Sequence, residues 1–213
     1  MLFNVVLGIW ITAGIVIGFM MPPAIGLVHS TVMYFHVPMA IAMLTAFLIA
    51  AWRGIQWLRT RDPRHDAASL AYAEVGAFFG IIATMTGSIW AGANWQSYWN
   101  WDAQQIGIVG TLLTYGALFA LRSAVDDDDK KRDLWAVYAI FGVIAAIFLT
   151  YVFRRLVPSL HPNDTLTKSA PGYRLTLWFN VFGYIMLLVR VAGLRARFET
   201  ARERLKELSW AMS

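Results

Sequence analysis

The sequence has no cysteine and, over its first 52 residues, no Asp, Glu, Lys or Arg. The missing cysteines exclude a disulfide framework and a CxxC redox motif. The missing charges exclude an ordinary soluble domain, because such domains carry about 25% charged residues. Over the whole chain of 213 residues only 15% are charged, whereas 58% are hydrophobic. This composition predicts an integral membrane protein.

Six apolar runs along the chain are each close to the length of about 20 residues that a transmembrane helix needs. We predict helices over Leu2–Met21, Thr31–Trp52, Ala67–Ala91, Gln104–Leu121, Leu134–Phe153 and Leu175–Leu194. The prolines at 22 and 23 separate the first two runs. Since no basic segment precedes the first run, we interpret it as a retained span and not as a cleaved signal peptide. The fold class expected is an all-α membrane protein, with residues 1–213 forming one domain of six transmembrane helices.

The basic residues indicate how these helices are oriented, because cytoplasmic loops carry an excess of Lys and Arg. All but four of the 18 basic residues lie in the linkers after the second and fourth helices or towards the C-terminus. The other four lie between the fifth and sixth helices: Arg154, Arg155, Lys168 and Arg174. We therefore expect both termini in the cytoplasm, with the tail over residues 195–213 forming an amphipathic helix at the membrane surface. The net charge of +5 reflects this topology and does not indicate nucleic-acid binding.

Two acidic features have ordinary explanations. The run Asp126–Asp129 is expected to be a solvated loop, because four consecutive carboxylates do not form a fixed metal cage. Glu74 lies near the cytoplasmic end of the third predicted helix. It is expected to reach the interface or to pair with a basic residue, and a proton relay is less favoured because no second buried acid accompanies it.

Aromatic residues are concentrated between the third and fourth helices, in the segment WAGANWQSYWNWD over residues 90–102, here called the tryptophan loop. Its candidate binding residues are Trp90, Trp95, Tyr98, Trp99, Trp101 and Asp102. An interfacial belt would explain one or two of these aromatics. A cluster this dense, ended by a carboxylate and without Lys or Arg, indicates an outward-facing surface for a flat, apolar ligand. Asp102 also has the form of a helix N-cap, with Gln105 three residues later.

Three of the four histidines map to the same side of the membrane as the tryptophan loop. His36 lies roughly 7 Å inside the second helix, at ~1.5 Å per residue, where an imidazole needs a partner or a metal. His161 lies in the outward connection before Pro162, and an exposed loop histidine is the alternative reading. His29 is expected to be a capping or supporting residue. His65, on the cytoplasmic side, is expected to be solvated.

Two histidines from different helical hairpins, facing one aromatic platform, suit the two axial positions of a haem iron. The four outward basic residues named above are candidates for contacts with the haem propionates, with interfacial anchoring as the alternative. Zinc fits less well, because the sequence has no HxxxH or HExxH pair and no cysteine.

These residues resemble the haem-handling (WWD-domain) family of cytochrome c assembly, whose signature is W-G-x-W/Y-W-x-W-D. Here the signature reads WQSYWNWD over residues 95–102. Residues 86–91, TGSIWA, are similar to the family's TGSxWG, and residues 33–38, MYFHVP, to its MYxHVP. The length and the six spans point to the branch called cytochrome c maturation protein C or haem exporter protein C.

The resemblance implies that His36 and His161 are the haem ligands and that haem b is carried as a transported substrate. It implies a place in the bacterial inner (plasma) membrane, with haem held at the outer face and delivered to a membrane-anchored haem chaperone. Further partners implied are ABC transporter subunits and a small single-span protein. No side chain is expected to make or break bonds, so the chain is not expected to be an enzyme; it supplies binding, orientation and iron ligation.

The sequence departs from the family pattern at three places. Gln96 replaces the usual glycine, Gln104 replaces a common Arg or Lys, and Gln105-Ile106 stands where Leu-Thr or Glu-Thr is typical. Without the cation at position 104, Arg154 or Arg155 is expected to hold the propionate.

Three other functions stay open at this point. A component of a cytochrome c synthase-type haem lyase is one, because His161-Pro162 is similar to that larger branch. A membrane cytochrome b would need histidines at two depths of the bilayer, and no histidine lies on the inner half of a predicted helix. A small-solute transporter would need broken helices or polar groups at mid-membrane.

Overall fold

The structure, a computed structural model, describes residues 1–21, 30–161 and 170–211, and its regular elements over these ranges are all helical. In chain order they are α1 (Leu2–Met20), α2 (Met33–Thr60), α3 (Pro63–Trp95), α4 (Ala103–Ser123), α5 (Asp128–Ile147) and α6 (Pro171–Ala211). A 3-10 turn at Ser30–Val32 precedes α2. A π-helical turn at Phe148–Val152 and an α-helical turn at Phe153–Leu156 continue α5. Within these described ranges, six helices are long and apolar enough to cross a membrane. The predicted fold class is confirmed. His29 and Lys168 lie outside the described residues.

The arginine clusters lie at one end of the bundle, here called the basic end. The connection between α2 and α3 at this end is shorter than the sequence predicted. Only Arg61 and Asp62 separate α2 from α3. The Asp62 side chain accepts a hydrogen bond from the backbone N–H of Arg64, and Pro63 occupies the first helical position, where proline is favoured. His65 therefore lies in the first turn of α3, and its ring is 3.4 Å from the guanidinium group of Arg53. His65 was expected in a loop, and that part of the prediction was wrong; its side chain is partly exposed.

The acidic run Asp126–Asp129 contains the N-terminus of α5. Asp127 accepts a hydrogen bond of 2.8 Å from the backbone N–H of Lys130 and so caps α5. Asp128 and Asp129 lie in the first turn, where the helix dipole favours negative charge. The four aspartates are exposed, as the prediction of a solvated run requires, but the prediction of a loop was wrong for Asp128 and Asp129, because the N-cap carboxylate starts the helix inside the run.

The core forms around the middle of α2. On one face of this helix small residues repeat every four positions: Ala42, Ala46, Ala50 and Gly54. Small side chains let membrane helices approach closely. A methyl group added at Gly76 of α3 would lie 2.8 Å from Cβ of Ala46, and one added at Gly54 would lie 3.1 Å from Cα of Ala136 in α5. This close contact holds α2, α3 and α5 together as the centre of the bundle.

Ion pairs hold the helices together at the basic end. Asp66 is 1% exposed and accepts two hydrogen bonds from Arg122, at 2.8 and 2.6 Å. Arg132 lies 3.8 Å from the same carboxylate. Glu74 pairs with Arg195 of α6 at 2.8 Å, which is the pairing anticipated for it. Breaking the pair of Asp66 with Arg122 would leave an uncompensated carboxylate away from water.

At the opposite end, here called the tryptophan end, α3 continues to Trp95. The part of the tryptophan loop over residues 90–95 is therefore helical, because the helix ends at a left-handed residue only at position 96. Gln96 has a φ of 57° and Trp101 a φ of 53°, a region that disfavours any side chain with a Cβ. The glycine usual at position 96 in the family signature would remove that strain. Strained backbone of this kind is typical of binding sites.

The π-helical turn after α5 lies at the same end. Gly107 of α4 packs directly against it, since a methyl group added at Gly107 would overlap the carbonyl oxygen of Leu149. A π turn inserted in an α-helix often marks a functional site. Here its residues Thr150 and Tyr151 line a cavity beside the start of α4.

Candidate functional site

The cavity lies between α2, α3, α4 and the end of the α5 segment, at the tryptophan end. Its volume is 440 Å³, within the range of about 300–1,000 Å³ for small-molecule and cofactor sites. Six residues predicted for the site line it: His36, Trp95, Trp99, Arg154, Arg155 and His161. Ile41 and Leu44 of α2 and Ile108 of α4 contribute an apolar wall. The cavity thus combines an apolar interior with two imidazoles and two guanidinium groups.

His36 lies in the first turn of α2, with one side of its ring held by α3. Its Nδ1 is 2.9 Å from the carbonyl oxygen of Ala83 and 3.4 Å from the hydroxyl group of Thr86. Because a carbonyl oxygen only accepts hydrogen bonds, Nδ1 carries the proton. Nε2 keeps its lone pair, as a metal-binding imidazole requires.

His161 follows the last turn of the α5 segment and packs against two indoles. The ring centroids of Trp90 and Trp95 lie 6.1 and 5.6 Å from the centroid of its imidazole. The side chain is 17% exposed, so it is not a plain exposed loop histidine. Burial lowers the pKa of His161 to about 4; the neighbouring His36 acts in the same direction, and Asp102 opposes it. The imidazole is therefore neutral at physiological pH and can donate a lone pair to a metal.

The two imidazoles lie at a separation that suits one shared metal ion. Their ring centroids are 6.5 Å apart and their planes are inclined by 51°. A metal bound on opposite sides by two imidazoles, with metal–nitrogen distances of roughly 2.0–2.1 Å, places the ring centroids about 6.4 Å apart.

The structure divides the predicted aromatic platform into three groups. Trp95 and Trp99 line the cavity. Trp90 is 2% exposed and supports Trp95 edge-on at 5.0 Å. Tyr98 and Trp101 are 69% and 68% exposed and are not among the lining residues. The sequence could not separate these groups, because they follow from how the loop folds back on α3.

Asp102 and the predicted basic residues also differ in whether they line the cavity. Asp102 is buried but does not line the cavity; it caps α4 through the backbone N–H of Gln104, and Gln105 completes the predicted capping box. The side chain of Gln104 lines the cavity together with Arg154 and Arg155. Arg174 is exposed at the start of α6 and does not line the cavity, and Lys168 lies outside the described residues.

Comparison with known proteins identifies the family. The family model described as Heme exporter protein C matches residues 1–211. The chain belongs to the Heme exporter protein C family.

Individual members of the Heme exporter protein C family are similar over most of their length. The Heme exporter protein C of Paracoccus denitrificans (strain Pd 1222) is 30% identical over 183 residues, which are 83% of this chain and 76% of the relative. That of Rhodobacter capsulatus is 29% identical over 202 residues, covering 92% and 84%. That of Escherichia coli (strain K12) is 28% identical over 171 residues, covering 78% and 68%. These matches confirm the family that the signature motifs predicted.

One site residue, Gly87, was not predicted from the sequence, although it lies inside a motif that is similar to one of the Heme exporter protein C family. Gly87, in the TGSIWA stretch, faces the ring of His36, and a methyl group added there would lie 2.7 Å from Cε1 of that imidazole. The motif was the available signal. Glycine is needed at position 87 because only a residue without a side chain leaves room for His36 beside α3.

Proposed function

We propose that this protein binds haem b in the cavity at the tryptophan end and delivers it to a membrane-anchored haem chaperone for cytochrome c maturation. The tryptophan end would face the outside of a bacterial inner membrane, with both termini in the cytoplasm. The haem is cargo: it is received, held and passed on.

The observation that carries this proposal is the pair His36 and His161 on one cavity, with ring centroids 6.5 Å apart. Two axial imidazoles are a common ligand set for haem iron when no open coordination position is needed. The carbonyl oxygen of Ala83 orients His36 with Nε2 as the free nitrogen. The two ligands come from segments far apart in the sequence, so the site depends on the folded bundle.

The cavity walls suit the porphyrin ring. Trp95 and Trp99 supply indoles, and Ile41, Leu44 and Ile108 supply aliphatic surface. Large aromatic side chains bury much apolar area and favour offset or edge-on contacts with other rings. A porphyrin held here would be covered on its apolar edge by residues of the membrane-spanning helices.

Arg154 and Arg155 are the residues proposed to hold the propionates, because both line the cavity. A guanidinium group forms two parallel hydrogen bonds with a carboxylate. Gln104 also lines the cavity and is neutral, so it offers an amide N–H where related sequences supply a cation.

The proposed role in delivery is supported by membership of the Heme exporter protein C family. The site residues bind, orient and exclude water, and the chemistry of later haem attachment belongs to haem itself. We therefore propose a delivery component and not an enzyme, working with ABC transporter subunits and a small single-span partner. The support for these partners is membership of the Heme exporter protein C family.

The test of this function is complementation in bacteria that lack their own Heme exporter protein C. Expression of this chain is expected to restore c-type cytochromes, measured by haem staining, and haem bound to the chaperone, measured by absorbance after purification. A chain carrying both His36→Ala and His161→Ala is expected to restore neither. Equal restoration by the parent and by the double variant would refute the proposed site, and no restoration by the parent would refute the function.

Replacing Gly87 with alanine is expected to lower the haem content of the purified protein about tenfold, the lower end of the loss seen when groups that orient a metal ligand are disturbed. The added methyl group would lie 2.7 Å from Cε1 of His36, so the ring must leave its position beside the carbonyl oxygen of Ala83. Haem is measured by absorbance per milligram of protein.

Gly92→Ala is the matched control on the same helix. There the methyl group would lie 2.6 Å from the ring of Tyr98, which is exposed and can rotate into solvent. Its haem content is expected to equal that of the parent. Equal haem content in Gly87→Ala and Gly92→Ala would contradict the role given to Gly87.

A further inference from the structure

The carboxylate of Asp102 belongs to two structural units at once. Its Oδ1 accepts the backbone N–H of Gln104 at 3.0 Å, which caps α4. The same oxygen accepts the hydroxyl group of Ser159 at 3.1 Å, and Oδ2 accepts the backbone N–H of Leu160 at 2.7 Å. Its side chain is 2% exposed. One buried carboxylate therefore ties the start of α4 to the segment that carries His161.

The same carboxylate lies next to the proposed ligand itself. Nδ1 of His161 is 3.7 Å from Oδ1 of Asp102, slightly longer than a hydrogen bond. This Nδ1 is buried and has no hydrogen-bond partner within the described residues. A buried nitrogen without a partner is unfavourable. A movement of the ring by about half an ångström would bring the pair to a hydrogen-bonding distance of about 3.2 Å.

We propose that Asp102 is a positioning residue for His161: it fixes the Ser159–His161 segment and accepts the N–H of Nδ1 when Nε2 binds the haem iron. This inference rests on the proposed function, because it takes His161 as a haem ligand. It gives Asp102 a role different from the one expected from the sequence, which placed it in the haem platform.

The chemistry of the two ligands then differs. His36 donates its Nδ1 proton to a neutral carbonyl oxygen of Ala83, whereas His161 would donate to a carboxylate. A hydrogen bond to a charged acceptor is stronger, and a carboxylate partner raises the basicity of a metal-bound imidazole. His161 is thereby the stronger electron donor of the pair, and it stabilises ferric more than ferrous iron.

Asparagine at position 102 separates this role from helix capping. Asparagine caps a helix about as well as aspartate, so Asp102→Asn keeps the bond from the N–H of Gln104. It keeps one acceptor oxygen, the Oδ1 that accepts the N–H of Gln104 and also faces Ser159 and His161, and it places an amide N–H₂ in the position of Oδ2, opposite the N–H of Leu160. The hydrogen bond from Leu160 and the negative charge beside His161 are lost, while the cap is kept.

The experiment titrates haem into the full chain, purified in detergent, and measures the Kd by absorbance and the midpoint potential of the bound haem. Asp102→Asn is expected to weaken haem binding about 10- to 100-fold and to make the potential more positive than that of the parent. Asp127→Asn is the matched control, because Asp127 caps α5 at the basic end by the same kind of bond. Its Kd and potential are expected to equal those of the parent.

Asp102→Asn with the Kd and potential of the parent would overturn the inference, provided that His36→Ala and His161→Ala bind haem more weakly than the parent. If these histidine variants bind haem as tightly as the parent, it is the proposed site that fails. Should Asp102→Asn not survive purification, Ser159→Ala decides. It removes the bond that the hydroxyl group donates to Asp102 and the bond that it accepts from the backbone N–H of His161, and it keeps both the carboxylate and the cap. A Kd weaker by about two- to tenfold for each hydrogen bond lost supports the inference, and an unchanged Kd overturns it.

Discussion

Replacing His36 with alanine is expected to reduce the haem content of the purified protein to about a tenth of the parent's or less. Disturbing a group that merely orients a metal ligand costs about 10- to 100-fold in affinity, and loss of the ligand itself costs at least as much. The remaining haem would be five-coordinate through His161. Absorbance per milligram of protein measures the loss, and the spectrum reports the change of ligation.

His65→Ala is the control for the histidine prediction. His65 carries the same side chain and is partly buried, but it lies at the basic end, where its ring faces Arg53. Its haem content and spectrum are expected to match the parent. A six-coordinate spectrum at full haem content in His36→Ala would show that another residue completes the coordination.

Replacing Gly107 with alanine is expected to destabilise the protein by about 2 kcal/mol. The added methyl group would overlap the carbonyl oxygen of Leu149 in the π turn, and backbone atoms cannot move aside as a side chain can. Overpacking of this kind costs typically about 1–3 kcal/mol, with the gain of up to about 1 kcal/mol from the better helix propensity of alanine acting against it. The midpoint of thermal unfolding in detergent measures the effect.

Gly116→Ala supplies the control on the same helix. Apart from the adjacent backbone of α4, no atom of the described residues lies within 4 Å of a methyl group added there. Only the propensity gain therefore applies, and stability is expected to be unchanged or slightly higher. Because Thr150 and Tyr151 of the π turn line the cavity, Gly107→Ala is also expected to bind less haem. Equal stability of Gly107→Ala and Gly116→Ala would contradict the prediction, because it would show that the π turn accommodates the added methyl group without loss of stability.

The family and the membrane class could be predicted from the chain because both depend on local sequence. A span is recognised by about 20 consecutive apolar residues, and the motifs around His36 and Trp95–Asp102 are continuous stretches. Helix ends were predicted less well. At Asp62-Pro63 and Asp127 the caps lie inside charged segments, which were taken for solvated linkers because the apolar runs end several residues away.

The assignment of His36 and His161 as ligands stays a prediction, and the structure adds geometry to it. The sequence selected both residues by their side of the membrane, yet nothing in it measures a distance between two loops. The burial of His161 between Trp90 and Trp95, and the exposure of Tyr98 and Trp101, depend on how α3 ends and how the loop turns back.

The amino-acid sequence by itself determined that six helices are long and apolar enough to span a membrane, and it predicted that the arginine clusters lie at one end and the tryptophan loop, with His36 and His161, at the other. These properties follow from hydrophobicity and charge, which act residue by residue. Only the tertiary structure decided that two imidazoles lie 6.5 Å apart on one cavity, that Gly87 and Gly107 leave room for a ring and a π turn, and that Asp102 reaches the His161 segment. Those are contacts between residues far apart in the chain, and they exist only once the helices have packed.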